Sequence, residues 1–233
     1  MSEIRFAFLK QIFRASLLAF ALAAPSFWFV QAHGQTDYRK GWELVLKEDF
    51  QRSELGGSWS VEDGSWVLTN STLEGHGTLM TSRGHPDDSY GYTRFEFEVE
   101  LTRENMSGPF GVFLHGRPPG KVDKPSWKTG YFFGFAETEG RRFIIYRDGR
   151  EVASSSPEKE IVIPGRIYKI VVENDERNLR ILVDGKRMAE WHDPSSFMAN
   201  TDYNRVGFHF PSPVKIRHVQ IFIKRVDDMD NFL

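Results

Sequence analysis

Apolar and polar residues alternate strictly in the stretch RFEFEVEL, residues 94–101. Phe95, Phe97, Val99 and Leu101 share one parity, and three glutamates take the other. Because successive side chains of a strand point to opposite faces, this period of two predicts a β-strand with one apolar and one acidic face. The acidic face bears on function, since paired carboxylates can cleave glycosidic bonds.

Similar short runs continue along the chain, separated by Gly, Pro, Asp or Ser, and no segment longer than a turn or two has a helical period. Two hairpins are clear: FIIYRDGREVA turns at Asp148-Gly149, and LRILVDGKRMAEW turns at Asp184-Gly185. Asp-Gly tolerates the positive φ of a type I′ turn. The pattern predicts an all-β sandwich or barrel, in one domain over residues 43–226.

The N-terminal segment has a different composition. Lys10 and Arg14 precede an apolar stretch of 16 residues, ASLLAFALAAPSFWFV, and its end forms the small-residue site Val30-Gln31-Ala32. This predicts a signal peptide over residues 1–32, cleaved after Ala32, and a secreted or periplasmic protein. A retained anchor is the alternative, although the stretch is shorter than the ~20 residues that span a bilayer. The C-terminal residues 227–233 read as an acidic tail.

Composition narrows the partners. The chain has no cysteine, so an exported form depends on its core, with a metal ion as a further means of support. Thirty Lys and Arg nearly balance 32 Asp and Glu, which disfavours nucleic acid and anionic lipid and indicates a neutral or small partner. Nucleotide-binding motifs are absent from the sequence. An aromatic content of 14% fits large sheets and also sugar-stacking surfaces. The expected partner is carbohydrate, with no nucleic acid, no nucleotide and no stable membrane span after cleavage.

Six motifs resemble, in order, the concanavalin A-like lectin/glucanase jelly roll, over about residues 43–225. They are LKEDF, GTLMTSR with YTRFEFEVEL, GPFGVFLHGR, PGRIYKIVVEN, LRILVDGKRMAEW and RVGFHFPSPVKIRHVQIF. Within that group the chain is most similar to secreted bacterial domains of the 3-keto-disaccharide hydrolase type. The resemblance implies an antiparallel two-sheet β-sandwich with a concave face that holds sugars.

Two departures from the related enzymes concern activity. The hydrolase pattern has arginine where this chain has His115, and the following strand, TGYFFGFAE, carries aromatic residues in place of polar ones. That strand also lacks the E-x-D-x-x-E motif of family 16 glycoside hydrolases. The resemblance therefore supports the fold more than a reaction.

The candidate catalytic groups are Glu96, Glu98, His115 and His209. If a short, regular hairpin joins residues 95–101 to FGVFLHGR, then Glu96 lies opposite His115 and Glu98 opposite Phe113, on one groove face. Adjacent glutamates of one strand face are about 7 Å apart, which suits a glycosidase. The alternatives are a solvated or cross-paired acidic face, and histidines that only hydrogen-bond their neighbours.

The candidate ligand-binding residues combine fixed hydrogen-bond donors with aromatic rings. Arginines can hold sugar hydroxyls or a carboxylate, although surface ion pairing is their commoner role. An aromatic ring on a rim loop either stacks on a sugar or covers the core. These candidates are Phe113, Arg117, Trp127, Tyr131 and Arg205.

Glu48 and Asp49 are candidate ligands of a structural calcium ion, since both offer carboxylate oxygens at a strand end. No other cofactor is implied. The sequence leaves three functions open: a carbohydrate-binding domain, a glycoside-cleaving enzyme of the 3-keto-disaccharide hydrolase type, and a structural or adhesion domain without a small ligand. It does not identify the glycan.

Overall fold

The structure is a computed structural model that describes residues 36–37, 41–82, 91–102, 109–120, 123–136, 142–156, 163–197 and 202–225. The chain divides into two compact units, residues 1–31 and 32–233, and every described residue belongs to the second. The expected signal peptide over residues 1–32 and the acidic tail over residues 227–233 lie outside the described residues and stay predictions.

The described residues form thirteen strands and one 3₁₀ turn, Ser126–Lys128. The strands are β1 Thr36–Asp37, β2 Trp42–Glu48, β3 Trp59–Thr69, β4 Thr72–Thr81, β5 Gly91–Leu101, β6 Gly111–Gly116, β7 Tyr131–Ala136, β8 Arg142–Arg147, β9 Arg150–Ser155, β10 Ile167–Asp175, β11 Asn178–Val183, β12 Lys186–His192 and β13 Arg205–Arg225. Within these segments, no helix has the length and apolarity that crossing a membrane requires.

The strands form two antiparallel sheets that share β13. The front sheet has the order β3-β4-β13-β6-β7-β8-β9, and the back sheet has the order β12-β11-β10-β5-β13-β2, with β1 added at the β2 edge. This confirms the predicted all-β, antiparallel two-sheet sandwich. Both Asp-Gly turns are confirmed as well, since Asp148, Gly149, Asp184 and Gly185 all have positive φ.

Strand β13 passes from one sheet to the other. Residues 205–210 pair with β4 and β6, residues 214–216 pair with β4 and β5, and residues 219–223 pair with β5 and β2. The register with β4 shifts between Phe210 and Val214, across Pro211 and Pro213. Because proline has no N–H to donate to a ladder, these residues mark the place where the strand changes partners.

The core lies between the sheets and follows the predicted parity. Phe95 and Phe97 of β5 point inward and are buried, as is Val112 of β6. Phe208 lies at the centre of the aromatic packing, with its ring centroid 5.0 Å from that of Phe95, 5.1 Å from that of Phe97 and 5.8 Å from that of Trp59. The apolar rows therefore line one shared interior.

The predicted hairpin between β5 and β6 is wrong. Strand β5 pairs with β10 and β13, so Glu96 lies opposite Val171 and Gln220 and not opposite His115. Strand β5 belongs to the back sheet and β6 to the front sheet, so the two strands are not paired with each other. Glu98 and Phe113 are separated for the same reason.

Candidate functional site

The acidic row of β5 faces outward from the back sheet, and Glu96 is ion-paired there. Its carboxylate accepts hydrogen bonds from Arg94 Nε at 2.7 Å and Lys169 Nζ at 2.9 Å. Burial acts to raise the pKa of Glu96, but these two cations leave it below its ordinary value. A carboxylate held this way is a poor proton donor, which favours the cross-paired alternative for this residue.

The other two glutamates of the row also face cationic or titratable side chains, both of them on β13. Glu98 lies 3.9 Å from His218, and Glu100 lies 3.3 Å from Arg217. The candidate acids Glu96 and Glu98 are therefore on the opposite side of the sandwich from the outer face of the front sheet. The expectation that they share a groove with the two histidines is wrong.

His115 lies between the two sheets and not in a groove. Its side chain is 1% exposed, and Asn174 Nδ2 of β10 approaches its Nε2 at 3.2 Å. His115 has a φ of 57°, in the left-handed region, and this interrupts the alternation of β6 and turns the imidazole inward. Burial lowers the pKa of His115 to about 3, so the ring is neutral near pH 7.

His209 does project from the outer face of the front sheet, as its position after Phe208 predicts. Its Nδ1 lies 2.9 Å from Thr78 Oγ1, and the indole of Trp127 stacks over its ring at 4.3 Å with 16° between the planes. Burial lowers the pKa of His209 to about 4. Trp127 also packs on Phe132 at 5.1 Å, so this tryptophan covers the sheet.

The turn Ser126–Lys128 closes part of the outer face. Both the backbone N–H and the hydroxyl of Ser126 donate to Glu62 of β3, at 3.1 Å each. Below the turn, Met80, Phe113 and Phe132 form a small buried apolar cluster. Phe113 is fully buried, and this contradicts its predicted role in contacting a ligand.

The indole of Trp127 over His209 should affect the pKa of this histidine. We expect Trp127→Ala to raise the pKa of His209 from about 4 towards 6.5, because removing the indole returns water to the imidazole. An NMR titration of the histidine ring protons measures this directly. Trp127→Phe is the matched control, since it keeps a ring over His209. A value that stays near 4 in the alanine variant would show that the indole is not what excludes water.

A pocket of about 570 Å³ lies beside this turn. It is formed by the segment after β6, the turn between β8 and β9, and the segment before β13. Four of its lining side chains among the described residues are cationic and two are carboxylates. The lining residues are Arg117, Asp123, Lys124, Thr129, Arg147, Asp148, Arg150, Val152 and Tyr203.

Four stacked groups lie along one side of the pocket. The rings of Tyr203 and Phe197 lie between the guanidinium groups of Arg117 and Arg147. Arg117 lies 4.4 Å from the centroid of the Tyr203 ring and also donates to its hydroxyl at 2.7 Å. Tyr203 stacks on Phe197 with centroids 4.9 Å apart, and Arg147 lies 4.3 Å from the Phe197 centroid. Stacking of this kind fixes the direction of both arginine side chains.

A buried carboxylate anchors this stack to the sandwich. Asp193 is 2% exposed and accepts from Tyr131 Oη at 2.6 Å and from Arg147 Nε at 2.8 Å. Tyr131 in turn accepts the backbone N–H of Phe197 at 2.7 Å. Burial, together with Asp193, raises the pKa of Tyr131. Tyr131 is fully buried, so its expected role as a ligand contact is wrong and it acts instead to position Phe197.

The turn between β8 and β9 is held against the pocket by Gly130. Asp148 N donates to Gly130 O at 2.8 Å, and Gly130 N donates to the Asp148 carboxylate at 3.2 Å. Arg147 and Arg150 flank this turn and both line the pocket. The sequence predicted the turn and Arg117, but it did not point to Arg147 and Arg150. Two arginines beside a hairpin turn were the pattern that could have identified them as candidate ligand contacts.

The remaining candidates lie away from the pocket. Arg205 donates to the backbone oxygen of Thr81 at 3.3 Å, and burial lowers the pKa of Arg205. Glu48 pairs with Arg52 at 2.9 Å, and Asp49 accepts the backbone N–H of Gln51 at 3.1 Å, so the calcium site stays a prediction. In the part of the chain that the structure describes, no group of three or more His, Asp or Glu side chains is arranged to hold a metal ion.

No family model matches the chain, and no curated protein matches it. Solved structures do match its fold. A protein of unknown function with a galectin-like fold from Bacillus subtilis is 10% identical, with a TM-score of 0.58, and the alignment covers 78% of this chain and 97% of that one. The catalytic domain of an endo-1,3-β-glucanase (laminarinase) from Thermotoga petrophila RKU-1 is 13% identical, with a TM-score of 0.53, covering 82% and 100%.

The carbohydrate recognition domain of Emp47p is 11% identical, with a TM-score of 0.51, over 77% of this chain and 94% of that one. At such low identity these likenesses show the fold alone. The fold is the concanavalin A-like jelly roll, which confirms that part of the sequence resemblance. The closer resemblance to the 3-keto-disaccharide hydrolase type stays a prediction.

Proposed function

We propose that this protein is an exported carbohydrate-binding domain whose binding site is the pocket between Arg117, Arg147 and Tyr203. The observation that carries the proposal is the pocket itself. Its volume of about 570 Å³ lies within the range of small-ligand sites, about 300–1,000 Å³. Val152 supplies apolar surface, and the charged side chains supply hydrogen bonds suited to hydroxyl groups.

The fold neighbours support a glycan ligand by analogy. One is described as a carbohydrate recognition domain and another as a glucanase catalytic domain. Fold likeness raises the expectation of a sugar without identifying the site, which is why the proposal rests on the pocket. Export is proposed because residues 1–32 are predicted to be a signal peptide.

The enzymatic alternative has less support. Glu96 and Glu98 lie on the outer face of the back sheet, His209 lies on that of the front sheet, and His115 lies between the sheets. The acid and the base of a glycosidase flank one scissile bond, whereas these four side chains lie on different faces of the sandwich. The structural alternative draws on a different observation: the turn with Trp127 already fills part of the front face.

The first experiment screens the protein on a glycan array and, in parallel, for hydrolysis of glycosides and 3-keto-glycosides. We expect at least one glycan to bind without turnover, and Arg117→Ala to weaken that binding about tenfold or more, since it removes both a charged donor and the stack on Tyr203. Calorimetry with the glycan found in the screen measures the loss.

Arg166→Ala is the matched control. Arg166 also lies over a tyrosine ring, at 4.9 Å from the centroid of Tyr168, but it does not line the pocket. Its loss should leave glycan binding unchanged. The proposal fails if no glycan binds, if both variants lose affinity equally, or if a glycoside is turned over.

A further inference from the structure

We infer that the pocket selects an anionic saccharide, a sugar that carries a carboxylate or a sulfate. The inference rests on the proposed function and adds the chemical class of the ligand. Its basis is an excess of positive charge in the pocket, combined with acceptors and an apolar side chain in the same space.

The cations of the pocket outnumber its carboxylates. Arg147 is paired with Asp193, at 2.8 Å. No carboxylate of a described residue forms an ion pair with Arg117, Lys124 or Arg150, and two carboxylates, Asp123 and Asp148, line the same pocket. These three cations against two carboxylates leave a net charge of +1, which one anionic group of a ligand balances.

Two of the cations can offer directed donors. Arg117 is held by its stack on Tyr203, and Arg147 is held by Phe197 and Asp193. Arg147 already donates through Nε to Asp193 and through Nη2 to the backbone oxygen of Ser195, so its remaining donors and its charge are what it offers a carboxylate or a sulfate. Because both side chains are fixed before a ligand arrives, little side-chain entropy is lost on binding.

The other groups of the pocket are suited to the sugar ring and not to the acid group. Asp123 and Asp148 can accept hydrogen bonds from hydroxyls. Val152 offers apolar surface for a ring face. The two carboxylates also disfavour a densely charged chain such as a nucleic acid, so the combination fits a polyol with an isolated anionic group.

The test compares glycans that differ only in charge. We expect a disaccharide that carries one uronate to bind at least tenfold more tightly than its methyl ester, or a monosulfated disaccharide to do so relative to its desulfated form. The first result assigns a carboxylate and the second a sulfate. The affinity of the charged glycan should also fall as salt is raised from 20 to 300 mM, because added salt shortens the Debye length and weakens the attraction between the ligand and the exposed cations.

Variants locate the effect. Lys124→Gln with Arg150→Gln removes two exposed cations of the pocket and should weaken binding of the charged glycan about tenfold or more, and that of its uncharged form by a clearly smaller factor. Lys47→Gln with Lys186→Gln makes the same change of charge at exposed positions of the back sheet and should have no effect.

The outcomes separate this inference from the proposed function. Equal affinity for charged and uncharged glycans, with Arg117 still required, would overturn the anionic preference and keep the carbohydrate-binding role. Equal losses from the two charge-removing pairs would show a nonspecific response to net charge and would also overturn it. Absence of all glycan binding overturns both.

Discussion

Asp193→Ala is expected to lower the free energy of unfolding by about 2 kcal/mol or more, because it leaves the buried hydroxyl of Tyr131 and a half-buried guanidinium without their acceptor. The carboxylate accepts from Tyr131 at 2.6 Å, from Arg147 at 2.8 Å and from the backbone N–H of Ser195 at 2.9 Å. Asp193 is 2% exposed and Tyr131 is fully buried, so water does not reach the hydroxyl that loses its acceptor, whereas the Arg147 side chain is 29% exposed and is solvated from the pocket. Urea unfolding followed by tryptophan fluorescence measures the change.

Glu190→Ala provides the matched comparison on the surface. Glu190 also accepts from two arginines, Arg180 at 3.0 Å and Arg187 at 2.5 Å, but its side chain is 35% exposed. Water can solvate both guanidinium groups after the change, so the expected cost is below about 1 kcal/mol. Similar costs for the two variants would mean that the burial of Asp193 does not matter to its contribution.

Asp193→Ala should also affect ligand binding in the pocket. Asp193 holds Arg147 and Tyr131, and Tyr131 holds the backbone of Phe197, whose ring stacks on Tyr203. Loss of the carboxylate should therefore loosen the stack and weaken glycan binding as well. Tyr131→Phe removes the hydroxyl and leaves the ion pair, so a smaller loss in both measurements is expected.

The free energy of unfolding is expected to fall by about 1.4 kcal/mol per pH unit through His115 alone, as the pH drops below 6.5. Burial lowers the pKa of His115 to about 3 in the folded chain, against 6.5 for an ordinary histidine. Between these values the unfolded chain binds a proton that the folded chain does not. Acid therefore favours unfolding over this window, and the effect levels off below pH 3.

Urea midpoints from pH 7.5 to 4.5 measure this slope for the native chain and for His115→Gln. The glutamine removes the titrating ring and should flatten the profile, whatever its effect on stability at pH 7.5. His209→Gln should flatten it too, since burial lowers the pKa of His209 to about 4. A slope in His115→Gln as steep as that of the native chain would contradict the assignment.

The sequence predicted the direction of most strand side chains correctly. Phe95 and Val112 point into the core, His209 points outward, and Asp148-Gly149 turns with positive φ. These features depend on alternation and on the conformational freedom of a two-residue turn. Both are local properties, and this is why a few neighbouring residues are enough to specify them.

The candidate site was predicted less well. Arg117 was named and does line the pocket, whereas Arg147 and Tyr203 were missed. The near-neutral charge of the whole chain indicated a neutral partner, but it averages over the local excess of cations in the pocket. His115 was assigned to a groove by parity, and a single φ of 57° turned it inward.

The sequence by itself determined the strands, their two faces, the tight turns and the all-β class of the fold. The tertiary structure decided which strands are neighbours, and so placed β5 and β6 in different sheets. It also brought Arg117 against Tyr203, 86 positions later in the chain. Contacts between distant segments depend on the paths of the connections and on the packing of whole sheets, which no local pattern encodes.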